Sequence, residues 1–539
     1  MHDPHGANAE TPTAWERAWI GPLCFLLALI VLLFFRLHAW DLPLETDECN
    51  YAYIGARLLE GQHFYVDVWD HQPFGVFALF AGAIALFGDE PEVFRSLALI
   101  FSVASMWLIF AILRRGFGLL AAVSGAFMFA ITSSDPGTAG EGCNREIYMN
   151  TFILVAWYLI SLRRSAPSAT VFGAGIALAL GSAIKTILAI HWALMLAYLL
   201  VAVWREERSE KSVRRLLKTL VLFAVGPAAF WLAAFGYFAA TNRAHEFIDA
   251  AFLFNLSYAG GEQSFWSRFV DFFAPRQHPF IFDSALPLWI VGLIASLGLA
   301  VSFGPRGKTR TRLILVMVLS SFLAVCLPGK SWPHYYYLLI PPLIIAIAAA
   351  THEIAVALKT RFPPANKPLA LLFAIVPILL GWTEHRDYLD QPLFGVTVKR
   401  YNSRDFWGRA MGEKIQQVTE PNDTIFVFGS DTGVYYYSDR RCASRYTMIT
   451  GLSSGYKGVD EHRRILLEEL RRNPPRIILV LFDEPPFEGW LALLSESYAA
   501  IGGDHHDRSG EWIMFVYGLK AAPVRAIDWE WDRKEVGGW

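Results

Sequence analysis

Eleven apolar runs, each close to the length of a membrane-crossing helix, decide what this chain can become. They are 19–37, 93–113, two within 119–161, two within 168–204, then 218–240, 284–303, 313–328, 335–351 and 369–382. About 20 apolar residues cross the hydrocarbon core of a bilayer. The polar loop 133–146 divides the first double run, and a break around Lys185 divides the second. Only 18% of the residues are charged and 54% are hydrophobic, whereas soluble domains average about 25% charged. An α-helical polytopic membrane protein is expected. Residues 1–18 are polar and read as a cytoplasmic N-terminus. The first run lacks a small-residue cleavage site, so it reads as a retained anchor. A formal net charge of −2 leaves no basic footprint for nucleic acid.

Residues 74–88 are apolar too, but short, as in an interfacial or re-entrant helix. Basic loops stay on the cytoplasmic side, and that rule settles how 74–88 is treated. If 74–88 does not cross, Arg114-Arg115, Arg163-Arg164, Arg205 to Lys218, Arg306 to Arg312 and Lys359 to Lys367 all lie inside. If it crosses, they all lie outside. The first arrangement is expected. It puts five segments on the outer face: 38–92, 133–146, the turn at Lys185, 241–283 and 329–334. The tail, 383–539, joins them.

The outer segments hold most of the unusual polar residues. Asp47-Glu48 follows the first span directly, and a charge beside hydrocarbon is a functional hypothesis by default. With it come Arg57, Asp67, Asp70, His71 and Arg95, then Asp135, Glu141, Arg145 and Glu146, then Lys185. Arg268, Arg276 and His278 follow, and finally Lys330 and His334 ahead of Tyr335-Tyr336-Tyr337. Such groups serve proton transfer, anion binding or metal binding. Cys49 and Cys143, both outside, are candidates for a disulfide.

In the tail, Thr424 to Gly429, Arg476 to Phe482 and Trp512 to Tyr517 read as strands. Asp460 to Arg472 and Glu488 to Ile501 read as helices. That alternation predicts a small α/β domain. Gly429-Ser430-Asp431-Thr432-Gly433 is too loose a match for a nucleotide loop. Tyr435-Tyr436-Tyr437 and Arg440-Arg441 are either packing residues or glycan contacts.

The run from Asp47-Glu48 through Tyr51-Ala52-Tyr53-Ile54-Gly55 to Tyr65-Val66-Asp67-Val68-Trp69-Asp70-His71-Gln72-Pro73 resembles the first external loop of a known superfamily. These are the C-type (GT-C) glycosyltransferases that use polyprenyl-phosphate sugars. They include protein O-mannosyltransferases, the aminoarabinose transferase of lipid A and the RgtA/B/C/D-like galacturonosyltransferases. Gly329-Lys330-Ser331-Trp332-Pro333-His334-Tyr335 resembles their later G-x-x-x-P-H-Y loop. The resemblance covers roughly 20–350. Together with the apolar runs it gives a transmembrane domain over 19–382 with its catalytic loop at 38–92, and the charge rule puts 383–539 outside as a separate domain. Two positions depart from the pattern: Gln72 stands where the family commonly has lysine, and Asn50 where the aminoarabinose transferases have arginine.

The resemblance implies sugar transfer from a polyprenyl-phosphate donor to a lipid, glycan or protein acceptor outside the cytoplasm. Asp47 is the expected base, with Glu48 beside it. Arg95, Lys185, Arg268, Arg276, Lys330, His334 and Tyr335 are the expected donor-phosphate and substrate contacts. Glu146, Asp70 and His71 are candidate ligands for a divalent metal ion. A bacterial inner membrane is the expected location. Two competing classes remain open: a polysaccharide polymerase or ligase, and a transporter of the lipid-linked sugar. A transporter places charges near the midplane and often shows inverted repeats, and no repeat is visible here.

Overall fold

The computed structural model describes residues 19–40, 42–163, 167–206, 211–260, 264–274, 281–282, 285–302, 309–361, 375, 378–379, 404–453, 456–481, 487–505 and 512–530. Ten of the eleven apolar runs are helices; the eleventh, 369–382, lies largely outside the described residues. The first nine helices are α1 Ile20–His38, α2 Thr46–Leu59, α3 Gly75–Phe87, α4 Pro91–Phe117, α5 Leu119–Thr132, α6 Arg145–Ser161, α7 Pro167–Ser182, α8 Ala189–Glu206 and α9 Lys211–Ala240. Short helical pieces over 244–260 and 265–273 precede Leu286–Ser302, Thr309–Cys326 and Ile340–Arg361. Among the described residues, five helices are long and apolar enough to cross a membrane and four shorter ones are also apolar. Their outward faces carry exposed Leu26, Ile30, Phe34, Leu232, Ile294 and Val301. Water disfavours such a band, whereas lipid accommodates it.

Local sequence explains the joints. Pro91 sits in the first turn of α4, where its missing N–H costs nothing. α4 turns into α5 at Gly118 alone, with φ 89° and ψ −178°, a conformation open in practice to glycine. α3 has 13 residues, about 20 Å at 1.5 Å per residue, and it lies along α2. The approach at Gly55 is so close that a Cβ there would meet the Ala81 backbone nitrogen at 3.0 Å.

Both ends of α3 are tied to one end of the bundle. The Gly75 N–H donates to Ala183 O, two residues from Lys185, at 2.7 Å. After its other end, Asp89 O accepts the Tyr436 hydroxyl, and the neighbouring Tyr437 hydroxyl accepts Leu44 N–H just before α2.

The C-terminal region is a five-stranded sheet in the order β2-β1-β3-β5-β4. The strands are β1 Thr424–Phe428, β2 Arg441–Cys442, β3 Ile477–Leu481, β4 Tyr498–His505 and β5 Trp512–Leu519. β1 pairs in parallel with β2 and β3; β5 runs antiparallel to β3 and β4. β1 and β3 are apolar on both faces, as strands covered on both sides are. The expected helix at Glu488 to Ile501 is corrected: Trp490–Ser497 is helical, but Tyr498 onward is β4, drawn into the sheet by pairing with β5. Arg404–Val418 is a helix of this region that the sequence pattern did not reveal.

The sheet region is docked on α2. Thr432 Oγ1 donates to Thr46 O, Cys442 N–H to Tyr53 Oη at 2.8 Å, and Thr447 Oγ1 to Asn50 Oδ1 at 2.7 Å. Trp69 N–H donates to Arg445 O at 2.9 Å, and Arg441 reaches Glu60 at 3.0 Å. Tyr435 is buried, its hydroxyl accepting Val427 N–H, and Arg440 binds Thr419 O. The tyrosine run and the arginine pair therefore pack and dock.

Candidate active site

The five segments expected outside meet at one end of the bundle, around the first turn of α2. Asp47 and Glu48 both fall in that turn, where the helix dipole favours carboxylates. Successive helical residues point about 100° apart, and here the two point to different places. Glu48 is sealed: its side chain is 1% exposed, against 24% for Asp47. Glu48 Oε2 accepts the Glu45 N–H at 3.0 Å, Oε1 accepts the Cys143 N–H, and Arg95 Nη2 stands 3.7 Å away. Glu48 is thus a clamp between α2 and the loop before α6.

Arg95 belongs to the same clamp. Its Nη2 donates to Leu42 O at 3.3 Å and Pro43 O at 3.0 Å, and its Nη1 to Glu141 O at 3.2 Å. With these partners its guanidinium is engaged by three backbone carbonyls within the fold. Arg36 holds the other side of that loop. It donates to Gly142 O at 3.0 Å, Ser133 O at 3.2 Å, Ser102 Oγ at 2.8 Å and Tyr337 Oη at 3.4 Å. The sequence carried a signal for it, a lone arginine near the end of an apolar run, but nothing told which loop it would hold.

Asp47 faces a different group. Tyr51 Oη donates to its Oδ2 at 3.3 Å; Arg145 Nη2 lies 3.6 Å and His334 Nε2 3.9 Å from that oxygen. Arg145 also reaches Glu146, with Nε 3.5 Å from Oε1. Lys185 Nζ is 3.1 Å from the same Oε1 and sits over the Tyr335 ring, 3.2 Å from its centroid. Residues from α2, α6, the α7–α8 turn and the loop at 333–336 therefore share one cluster. Burial, reinforced by the Arg145 cation and only partly offset by Glu146, pushes the Lys185 ammonium down to about 7.

Asp70 and His71 form the neighbouring wall. Asp70 Oδ1 accepts Gln72 N–H and Oδ2 accepts Asn50 Nδ2, both at 2.7 Å. Burial outweighs these bonds and raises the Asp70 carboxyl to about 6. The Gln72 amide nitrogen lies 2.6 Å from His71 Nε2, so the amide donates and His71 Nδ1–H turns to Asp70 Oδ1, 3.4 Å away. Burial first, then the Arg145 and Lys185 cations, lower His71 to about 3, so its ring is neutral. Gln72 and Asn50, the two departures from the family pattern, thus build one hydrogen-bonded wall.

The remaining expected contacts stand farther out. Lys330 Nζ lies over Tyr258, 4.7 Å from the ring centroid, and Arg268 Nη1 donates to Leu327 O at 2.7 Å. Arg276 lies outside the described residues. Among the described residues no three His, Cys, Asp or Glu side chains gather to hold a metal ion. Glu146 is paired with two cations and Asp70 with two donors. Cys49 and Cys143 are free thiols.

The family model for dolichyl-phosphate-mannose-protein mannosyltransferases matches residues 71–231, from His71 into α9. Among solved structures, the chain resembles ArnT from Cupriavidus metallidurans bound to undecaprenyl phosphate. The TM-score is 0.57 at 15% identity, covering 93% of this chain and 97% of that one. It also resembles the archaeal oligosaccharyltransferase AglB from Archaeoglobus fulgidus in complex with an inhibitory peptide and a dolichol-phosphate. There the TM-score is 0.56 at 14% identity, covering 93% and 74%. A structure of the Archaeoglobus fulgidus oligosaccharyltransferase with Zn and sulfate gives 0.53 at 15%, covering 91% and 72%. No curated protein sequence matches the chain. The chain carries the GT-C fold, the fold of the membrane glycosyltransferases it resembles.

Proposed function

We propose that this protein transfers a sugar from a polyprenyl-phosphate donor to an acceptor hydroxyl at the face where the five loops and the C-terminal sheet meet. The observation that carries the reading is the separation of Asp47 from Glu48. One carboxylate is left partly open beside a cluster of cations while its neighbour is sealed as structure. In the reaction, the acceptor oxygen attacks the anomeric carbon and the bond from that carbon to the phosphate oxygen breaks. The acceptor proton passes to Asp47, and the phosphate leaves with the bonding pair. Lys185 supplies a positive charge for that phosphate, and Lys330 and Arg268 stand on the outer approach. His334 and Tyr335 orient the substrate against Asp47.

The positive-inside pattern supports an extracytoplasmic site, and hence a donor that crosses the membrane on a lipid. A bacterial inner membrane is the setting this implies. Lipid A, a glycan or a protein is the class of acceptor such a face meets. The clustering of charge at one end of the bundle argues against a transporter, whose charged residues sit near the midplane.

The test is Asp47→Asn in proteoliposomes supplied with a panel of labelled polyprenyl-phosphate sugars and envelope extract as acceptor. Transfer by the native chain and its loss in the variant are expected; undiminished transfer would remove Asp47 as the base. Orientation is tested by cysteine labelling. Arg310→Cys should resist an impermeant reagent added from outside, and His63→Cys, at an exposed position of the loop expected outside, should react with it.

A further inference from the structure

We infer that Arg145 takes the place a divalent ion would occupy, bridging the two carboxylates of the site so that transfer needs no metal. The activity arm of this inference rests on the function proposed above; the binding arm does not.

The geometry is that of a cation set between two carboxylates. Arg145 Nη2 is 3.6 Å from Asp47 Oδ2, and its Nε is 3.5 Å from Glu146 Oε1. The arginine side chain is 6% exposed, and its Nε makes no hydrogen bond. Both contacts are long for charge-assisted bonds. The guanidinium is therefore placed by charge between the two groups rather than engaged in a tight fork with either. Its charge is fixed at any physiological pH. Lys185, 3.1 Å from the same Glu146 oxygen, completes the balance: two carboxylates against two cations.

A divalent ion between Asp47 and Glu146 would have to displace the guanidinium, and it would then face Lys185 across one carboxylate oxygen. The other oxygen of Glu146 is buried and accepts no hydrogen bond. It is the atom a metal would recruit if the arginine were gone. Arg145 is thus a positioning residue: it faces Asp47 and Glu146 together and sets the charge of the site, as a bound ion does elsewhere.

The test uses the purified full-length chain in detergent, with Mn2+ as the probe. Mn2+ titrations followed by electron paramagnetic resonance should show no saturable site in the native chain, and labelled transfer should survive EDTA. Arg145→Ala, checked for folding by circular dichroism, should gain a saturable Mn2+ site about tenfold or more tighter than any native binding. Adding Asp47→Asn or Glu146→Gln should abolish that site, and Arg145→Lys should bind no Mn2+.

Saturable Mn2+ binding in the native chain that disappears on Asp47→Asn would overturn the inference. So would loss of native transfer on chelation with recovery on Mn2+, or a folded Arg145→Ala that binds no Mn2+. If Arg145→Ala does not fold, Arg145→Gln carries the same comparison. If no donor gives transfer, the proposed function fails while the Mn2+ titrations still decide this point.

Discussion

Replacing Glu48 and Asp47 one at a time tests whether the adjacent acids have separate work. Glu48→Gln keeps the volume and removes the charge. The native carboxylate accepts two backbone N–H groups, from Glu45 and Cys143, and faces Arg95 at 3.7 Å while 1% exposed. A glutamine has one acceptor oxygen, so its amide must point an N–H at one of those two donors. One charge-assisted hydrogen bond goes, worth ~1.5–3 kcal/mol. Arg95 keeps its carbonyl partners but loses its counter-ion, and breaking one side of a buried pair costs about 3–5 kcal/mol in all. That is a large share of the ~5–15 kcal/mol that typically holds a protein folded.

Asp47→Asn should behave in the opposite way. The side chain is 24% exposed, with one hydrogen bond at 3.3 Å and cations no nearer than 3.6 Å. Its structural cost is about 1 kcal/mol, while loss of a general base slows transfer by about 10²–10⁴. Thermal unfolding in detergent, followed by tryptophan fluorescence, and single-donor transfer rates separate the two. A markedly lower melting point with residual kcat is expected for Glu48→Gln, and a near-native melting point with collapsed kcat for Asp47→Asn. If Glu48→Gln melted normally yet lost all transfer, the clamp assignment would be refuted.

Other substitutions probe the supports of the site. Gly142→Ala should cut transfer by about 10²-fold with KM little changed, because its Cβ would fall on Glu48 Oε1 and within 3.4 Å of Arg95 Nη1, shifting α2. Thr447→Val removes the bond to Asn50 and should destabilise by ~1 kcal/mol in denaturant titration, with kcat falling more than melting predicts if the Asn50–Asp70 wall orients substrate. The Lys185 ammonium, at about 7 in the fold, loses its proton as pH rises through that value. Transfer should therefore fall on the alkaline side of pH 7, and Lys185→Arg should flatten that limb in a pH–rate profile. The sign for stability is opposite. Between about 7 and the ordinary lysine value of 10.5 the unfolded chain holds more protons at this group, so its contribution to stability rises with pH.

The helices were legible because hydrocarbon sets their length. Asp47 stood out for its position after the first span. What separates it from Glu48 was hidden, since the Cys143 amide lies 95 positions away in the chain. Arg145 was visible only as one more outer charge; its place between two carboxylates depends on how α2 and α6 converge. The two cations beside Glu146 were hidden for the same reason, because a carboxylate in a sequence does not show what its neighbours are. β4 was concealed by residues with little strand preference, Ala499, Ala500, Gly502 and Gly503, which extend only because β5 pairs with them.

The docking of the C-terminal sheet on α2 has a consequence for how the protein matures. Thr432 and Thr447 reach Thr46 and Asn50 across 386 and 397 positions of chain, and β5, which lies between β3 and β4, is made later still. The membrane helices enter the bilayer during synthesis, before that sheet can close. Until it does, the turn carrying Asp47 lacks its outer support, so a partly made or truncated chain would hold the lipid-facing fold yet stay silent. Completion of the last strand would then finish a support whose first contact was laid down at residue 46.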